Sequence, residues 1–161
     1  MDDKIHKILL NPMFKEIVKK IEKLEKERVY CRHNLNHFLD VARIGYLYIL
    51  ENSLPISCPQ IYGAALLHDI GRVSEYKSGI PHYEAGIGIA SGILRDCGYL
   101  ESEIKEIVEA ISKHGSIDHQ KQDTLGYVLY LADKKSRLCF ACEASIFCHW
   151  PKEKKNATIT F

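Results

Sequence analysis

The chain holds no apolar run approaching the roughly eighteen residues a membrane span needs, and Met1-Asp-Asp-Lys-Ile-His6 lacks the basic-then-apolar order of a secretion signal. Neither a membrane partner nor export is expected, and the chain is placed in the cytoplasm. An excess of charge is missing too. The 22 Lys and Arg against 21 Asp and Glu leave a formal +1, too little for the broad basic field that a long nucleic acid requires. Phosphate binding would have to be local. Alternating apolar and polar stretches are scarce, which argues against sheet, and no repeat, low-complexity tract or linker divides the 161 residues. A single domain with a full core is therefore expected. Six cysteines could pair in an oxidising compartment, but with no export signal and a core of this size, thiols or metal ligands are expected instead.

What the chain does hold is spacing of three and four from end to end, an all-α pattern. The first amphipathic segment is read from about Phe14 to Arg28 with Ile17, Ile21 and Leu24 inward, and the second from about Leu35 to Leu50 with His37, Val41, Ile44 and Tyr48 on one stripe. Pro59 suits the first turn of a third helix whose inner face carries Ile61, Ala64, Ala65 and His68, with Gly71 letting the chain turn away. Residues 72–81 are polar, contain Gly79 and Pro81, and read as a loop. A helix then runs from His82 toward Gly98 with Gly86, Ile89, Ile93 and Cys97 beneath it. Glu101 to Lys113 follows with Ile104, Ile107, Val108 and Ile111 inward and His114 continuing the stripe. Asp123 is read as the cap of a last helix carrying Leu129 and, four residues on, Asp133.

The chemistry begins at His68-Asp69. A buried carboxylate without a partner costs several kcal/mol, so the run Ala64-Ala65-Leu66-Leu67 should not lead into Asp69 unless a metal or a cation waits there. His37, His82, His114 and Asp133 are further ligand types on inward stripes or helix starts. Each alone has a bland reading: His37 as a satisfied core histidine, Asp133 as a salt bridge to Lys134, Lys135 or Arg137. Together they would be several buried polar groups with no gain, which favours a shared cation. His6 and His119 read as surface residues, while His33, four before His37, reads as facing substrate or standing behind the ligands. Arg72, Lys113 and Arg137 are near ligands in sequence and could bind phosphate or simply be solvated. Lys134 could pair with a ligand carboxylate.

These residues resemble the metal-dependent HD phosphohydrolase superfamily. The resemblance rests on His37-Phe-Leu-Asp-Val-Ala-Arg43, Ala65-Leu-Leu-His-Asp-Ile-Gly-Arg72 and Leu131-Ala-Asp-Lys-Lys-Ser-Arg137, and covers roughly residues 30–137. It implies an HD-domain bundle of about six to seven helices around a metal site, with residues 1–137 as the domain and 138–161 as a tail packed on it. It also implies that His37, His68, Asp69 and Asp133 bind one metal, and that His82 and His114 bind a second that Asp69 bridges. The order of motifs is nearest to small bacterial hydrolases that split symmetrical dinucleoside tetraphosphates. The cyclic-di-GMP phosphodiesterase signature is absent, since Gly-Ser-Ile-Asp follows His114, and the Glu-Asp pair of (p)ppGpp hydrolases has no counterpart.

Such ligands suit one or two ions of Fe, Mn, Zn, Co or Ni, and His68 and Asp69 would then be catalytic, with water activated by the metal attacking a phosphoester or phosphoanhydride. The expected partner is a small phosphorylated substrate, a nucleotide, and the expected form a monomer or homodimer. A nucleoside monophosphate phosphatase, a non-catalytic metal-stabilised signalling or interaction domain and an HD-type oxygenase are the alternatives. Separately, Cys139-Phe-Ala-Cys142 and Cys148-His149 carry soft ligands that could hold structural Zn or an Fe–S cluster with Cys31. Free thiols packed as small hydrophobes are the other reading.

Overall fold

The computed structural model describes residues 3–115 and 121–159. It is all-α, and the expected spans hold at α3, α4, α6, α7 and α8, numbering eight α-helices among the described residues. These are α1 (Asp3–Leu10), α2 (Pro12–Leu24), α3 (Leu35–Glu51), α4 (Cys58–Leu67), α5 (Arg72–Ser78), α6 (His82–Asp96), α7 (Glu101–Lys113) and α8 (Leu125–Lys135). Helix α4 is the axis. Its start is fixed by a reciprocal Ser57–Gln60 capping box with Pro59 in the first turn, and Ile61, Ala64, Ala65, Leu66 and Leu67 are all fully buried. An apolar helix without a polar face can only be central, and α1, α3, α6, α7 and α8 all pack against α4.

Three readings of the sequence need correction. Residues 72–78 are not loop but α5, ended by Gly79 in the left-handed region (φ 72°), whose N–H donates to the Glu75 carbonyl. Gly79 and Pro81, read as loop residues, are the end of one helix and the start of the next. The first amphipathic segment, expected from about Phe14 to Arg28, is α2, which Asn11 Oδ1 opens at Pro12 by accepting from Met13 N and Phe14 N and which ends at Leu24, and a further helix, α1, precedes it. Its inward stripe is Phe14, Val18 and Ile21, continued by Glu25, while Leu24 is exposed. Thr124 rather than Asp123 caps α8, its Oγ1 accepting from Tyr127 N.

Gly71 sets the approach of α6. A Cβ there would collide with the His82 carbonyl oxygen and lie 2.7 Å from Gly86 N, so the first turn of α6 rests on a bare backbone position. Gly71→Ala should therefore lower the unfolding free energy by about 3 kcal/mol or more. Gly88→Ala, on the open face of the same helix with nothing near its Cβ, should be neutral or stabilising by about 1 kcal/mol or less. Denaturant unfolding reads both. Equal midpoints for wild type and Gly71→Ala would mean that α6 is not seated on this residue.

Candidate metal centre

Five imidazoles surround Asp69, and in each one Nδ1 is tied to a protein oxygen. His68 and His114 occupy the C-terminal caps of α4 and α7 and donate Nδ1–H to the carbonyls three residues back, Ala65 O at 2.7 Å and Ile111 O at 2.6 Å. The Ile111 carbonyl otherwise accepts only the long His114 N–H bond of 3.4 Å, so at these helix ends the rings supply a short donor where the regular ladder runs out. His82 Nδ1 lies 3.0 Å from Glu75 Oε1, and His33 Nδ1 lies 2.6 Å from Glu25 Oε1. His37 Nδ1 is 3.2 Å from Ser136 Oγ, whose own hydrogen goes to the Asp133 carbonyl at 2.8 Å, so the hydroxyl accepts from His37. Each ring is thereby fixed with a lone pair on Nε2.

These lone pairs converge on carboxylates. Asp69 Oδ2 lies 2.9 Å from His68 Nε2, 3.7 Å from His37 Nε2 and 3.8 Å from His33 Nε2, whereas Oδ1 lies 3.4 Å from His82 Nε2. Asp133 Oδ1 lies 3.4 Å from His37 Nε2 and 3.9 Å from His68 Nε2. His82 Nε2 and His114 Nε2 are 3.1 Å apart. With both Nδ1 atoms protonated this pair is not a hydrogen bond but two lone pairs facing one place. Bonds of about 2.1 Å to a single ion would put two such nitrogens at an angle of roughly 95°. The groups of ligand atoms within 4.8 Å of one another are His37-His68-Asp69 and Asp69-His82-His114, sharing the carboxylate.

A cation fits. His37 Nε2, His68 Nε2 and Asp69 Oδ2 are buried without any hydrogen-bond partner, an arrangement of acceptors that costs free energy unless a positive ion satisfies it. Electrostatics agree. Burial would raise the Asp69 carboxyl, but His68 and Arg72 hold it well below the ordinary range; Asp133, opposed by burial in the same way, is held low by His37, Arg137, His68 and Lys134. Burial and then the neighbouring His68 push His114 down to about 4, and burial pushes His33 to about 4 despite Glu25, so both rings are neutral near pH 7. His68 is shifted the other way: burial lowers it, but Asp69 and Asp133 win.

The structure thus brings together His37, His68, Asp69, His82, His114 and Asp133, and places His33 beside them. Arg72 is engaged, its Nε 2.7 Å from Asp69 Oδ1 and Nη1 3.2 Å from Glu75. Arg137 is buried, with Nη2 2.8 Å from Asp133 Oδ1 and Nε unpartnered. Lys134 Nζ reaches Asp133 Oδ2 at 2.8 Å. Lys113 does not reach the centre: one step of about 100° along α7 from inward His114 turns it outward, where it pairs with Glu109 at 2.6 Å. His6 is exposed as expected, and His119 lies outside the described residues. Cys31, Cys139, Cys142, Cys148 and His149 enter neither ligand group. Three residues were missed: Glu25, Glu75 and Ser136, whose oxygens hold His33, His82 and His37. For Glu25 a signal existed, its place four residues after Ile21 on the apolar stripe of α2.

A wide cleft opens from this centre. It has a volume of about 710 Å³ and runs from His37 and Arg137 past Asn34 and Asp40 to Tyr30 and Trp150.

Comparison with known proteins agrees with this architecture. The model of the HD domain matches residues 34–138. An uncharacterized protein of Clostridium beijerinckii is 40% identical over 159 residues, covering 99% of both chains. Ribonuclease Y of Mesoplasma florum is 28% identical over 124 residues, 77% of this chain but 22% of that protein, so the chain spans about a fifth of its length. A solved structure, a predicted HD superfamily hydrolase from an uncultured Thermotogales bacterium, superposes with a TM-score of 0.65 at 23% identity, covering 91% of this chain and 80% of that one. That likeness establishes the fold.

The buried rings make metal-free stability depend on pH. The unfolded His114 takes up a proton near 6.5 and the folded one only near 4, so its contribution is fully present above pH 6.5 and is lost as the pH falls to 4. Between pH 7 and 4 the stability of metal-free wild type should fall relative to His114→Asn by about 3 kcal/mol. Parallel stability curves for the two proteins would mean that the ring is solvated.

Proposed function

The chain belongs to the HD-domain family and is a metal-dependent phosphohydrolase of that family, and from this premise we propose that it hydrolyses a phosphoanhydride or phosphoester in a small nucleotide, with a dinucleoside tetraphosphate as preferred substrate. The observation that carries the reading is the trio of buried acceptors without partners, His37 Nε2, His68 Nε2 and Asp69 Oδ2. His37, His68, Asp69 and Asp133 would hold one divalent ion, and Asp69, His82 and His114 would hold a second. Such ions supply positive charge to the attacked phosphoryl group and lower the pKa of a ligated water toward neutrality. Nitrogen and carboxylate donors suit Fe, Mn, Zn, Co or Ni.

The chain's own residues supply orientation and charge balance. Arg72 neutralises Asp69 at Oδ1, the oxygen that also faces His82, and orients the carboxylate. Arg137 spans the boundary between Asp133 and the cleft. Its charge beside the cleft suits a phosphate group, a local basic group where the whole chain has a formal charge of only +1. The cleft volume of about 710 Å³ accommodates a nucleotide, and Tyr30 and Trp150 along it offer ring faces for a base. A nucleoside monophosphate is the runner-up substrate.

Two measurements test this. Metal-loaded protein should hydrolyse bis-p-nitrophenyl phosphate and show a higher kcat/KM for dinucleoside tetraphosphates than for nucleoside monophosphates or a short oligoribonucleotide, included because the ribonuclease Y proteins are similar here. In labelled water the label should appear on the newly formed terminal phosphoryl group of one of the two nucleoside diphosphate products; its absence would exclude direct attack by water. A tenfold preference for monophosphates would transfer the reading to the runner-up. Asp69→Asn should lose both metal and activity by at least about a hundredfold, and Ser136→Ala should weaken metal binding about 10- to 100-fold by freeing the His37 ring, as read by calorimetry. Unchanged affinity in Ser136→Ala would show that the hydroxyl does not set the tautomer.

A further inference from the structure

From Leu138 to Ile159 the chain has only short 3-10 turns, Cys139–Ala141, Glu143–Ile146 and Lys152–Lys154, and Ala144 is its single buried residue. Phe147 is 75% and Ile146 81% exposed. Hydrophobic burial therefore does not account for a defined path of these residues. Polar ties hold the ends: Asn156 Nδ2 donates to the carbonyls of Lys134, Lys135 and Arg137, and Lys155 Nζ donates to those of Ser145 and Cys148.

The middle is where the cysteines gather. Cys31, Cys139, Cys142 and Cys148 all line the same cleft. Two contacts bring the distant pieces together. Tyr30 Oη donates to the Phe147 carbonyl at 3.1 Å and the Tyr30 ring meets His149 edge-on, which ties the segment that carries Cys31 to the one that carries Cys148. The Cys142 N–H donates to the Cys139 carbonyl at 3.3 Å, which curls the Cys-x2-Cys pair into one turn. The other two cysteines are elsewhere: Cys58 opens α4, and Cys97, 2% exposed, is a small apolar group in the core. The four cleft thiols are free and half-buried, so neither core packing nor a disulfide explains them.

We propose that Cys31, Cys139, Cys142 and Cys148 bind an iron–sulfur cluster that fastens the C-terminal segment to the loop before α3. Four thiolates, one distant and three clustered, match the donor number and softness that such clusters take. A single tetrahedral ion fits less well. Metal–sulfur bonds of about 2.3 Å would draw sulfurs to roughly 3.8 Å from one another, whereas among the described residues no group of three ligand atoms within 4.8 Å includes a thiol. A cluster spreads the sulfurs over several iron atoms. Assembly takes iron and inorganic sulfide, and the four thiols release their protons on ligation. The site is distinct from the histidine and carboxylate centre, and shares only the cleft with it.

The test uses the full chain, purified anaerobically from iron-supplemented cells, with iron, zinc and acid-labile sulfide counted per chain. The double variant His68→Ala/Asp69→Ala should retain iron and sulfide in equal amounts, about two or four of each since four cysteines hold either cluster size, together with visible charge-transfer absorption. Cys142→Ser/Cys148→Ser should lose sulfide and that absorption while keeping metal at the histidine centre. Should the cysteine variant fail to fold, alkylation of the wild type decides: four thiols protected until the cluster is destroyed by oxidation and chelation support the proposal. One zinc with no sulfide in the His68→Ala/Asp69→Ala protein would overturn the cluster. Absence of any metal there, with all four cleft thiols alkylated at once in the folded protein, would overturn the site.

Discussion

The arrangement depends on one carboxylate. Asp69 is 1% exposed, and its two oxygens face different company: Oδ1 meets Arg72 and His82, Oδ2 meets His37, His68 and His33. Arg72 offsets one negative charge. It does nothing for Oδ2 or for the imidazole lone pairs around it, since its guanidinium is on the other side. A neutral core would exclude such a concentration of acceptors, because each buried and unsatisfied group costs on the order of 1–3 kcal/mol. The protein instead wraps its most apolar helix, α4, directly behind the group. That placement makes sense only with a cation as the missing partner, and it makes the fold and the chemistry one problem.

The second requirement is that every ring presents the same nitrogen. Two mechanisms meet it. His68 and His114 use carbonyls of the last helical turn, where the regular ladder of donors runs out, so their tautomer follows from their position as caps. His33, His37 and His82 stand at or before helix starts, where no spare carbonyl is at hand, and each relies on a side chain from another element: Glu25 of the α2 end, Ser136 after α8, and Glu75 of α5. Glu25 is itself secured. Burial alone would raise its carboxyl, yet hydrogen bonds from the His33 ring and backbone and from Tyr76 bring it to about 2. α5 thereby serves two rings, through Glu75 and Tyr76, and this short helix is part of the site rather than a connection.

Legibility in the sequence follows the same division. Helical stripes located His37, His114 and Asp133, because those residues continue apolar periods on α3, α7 and α8 and periodicity reports which way a helix faces. The terminal position of His68 and the start at His82 were legible from Gly71 and Pro81. What was not legible were the oxygens that hold the rings. Glu25 continues the apolar stripe four residues after Ile21, yet it lies in a Lys- and Glu-rich stretch that reads as a solvated face, and nothing in that stretch names His33 as its partner. Glu75 lies in seven residues too few and too polar to show a period. Ser136 has a role only through a contact with His37 on another helix. Lys113 shows the reverse case: adjacency in sequence to His114 turns it about 100° around the helix and out of the site.

The end of α8 connects the centre to the rest of the cleft. Asp133, Ser136 and Arg137 occupy a single turn, in which Ser136 fixes the His37 tautomer, Arg137 balances Asp133, and the carbonyls of Lys134, Lys135 and Arg137 are held by Asn156 from the C-terminal segment. A displaced C-terminal segment would release those carbonyls first, since Asn156 supplies all three bonds with one amide. The last turn of α8 would then lose the partners that replace its missing helical ones, and Ser136 and Arg137 would move with it. Metal affinity and phosphate placement are thus both exposed to how firmly residues 138–159 are seated, although none of those residues is a ligand in either His and Asp group. A segment with so little buried surface can bear that responsibility only if something other than hydrophobic packing secures it.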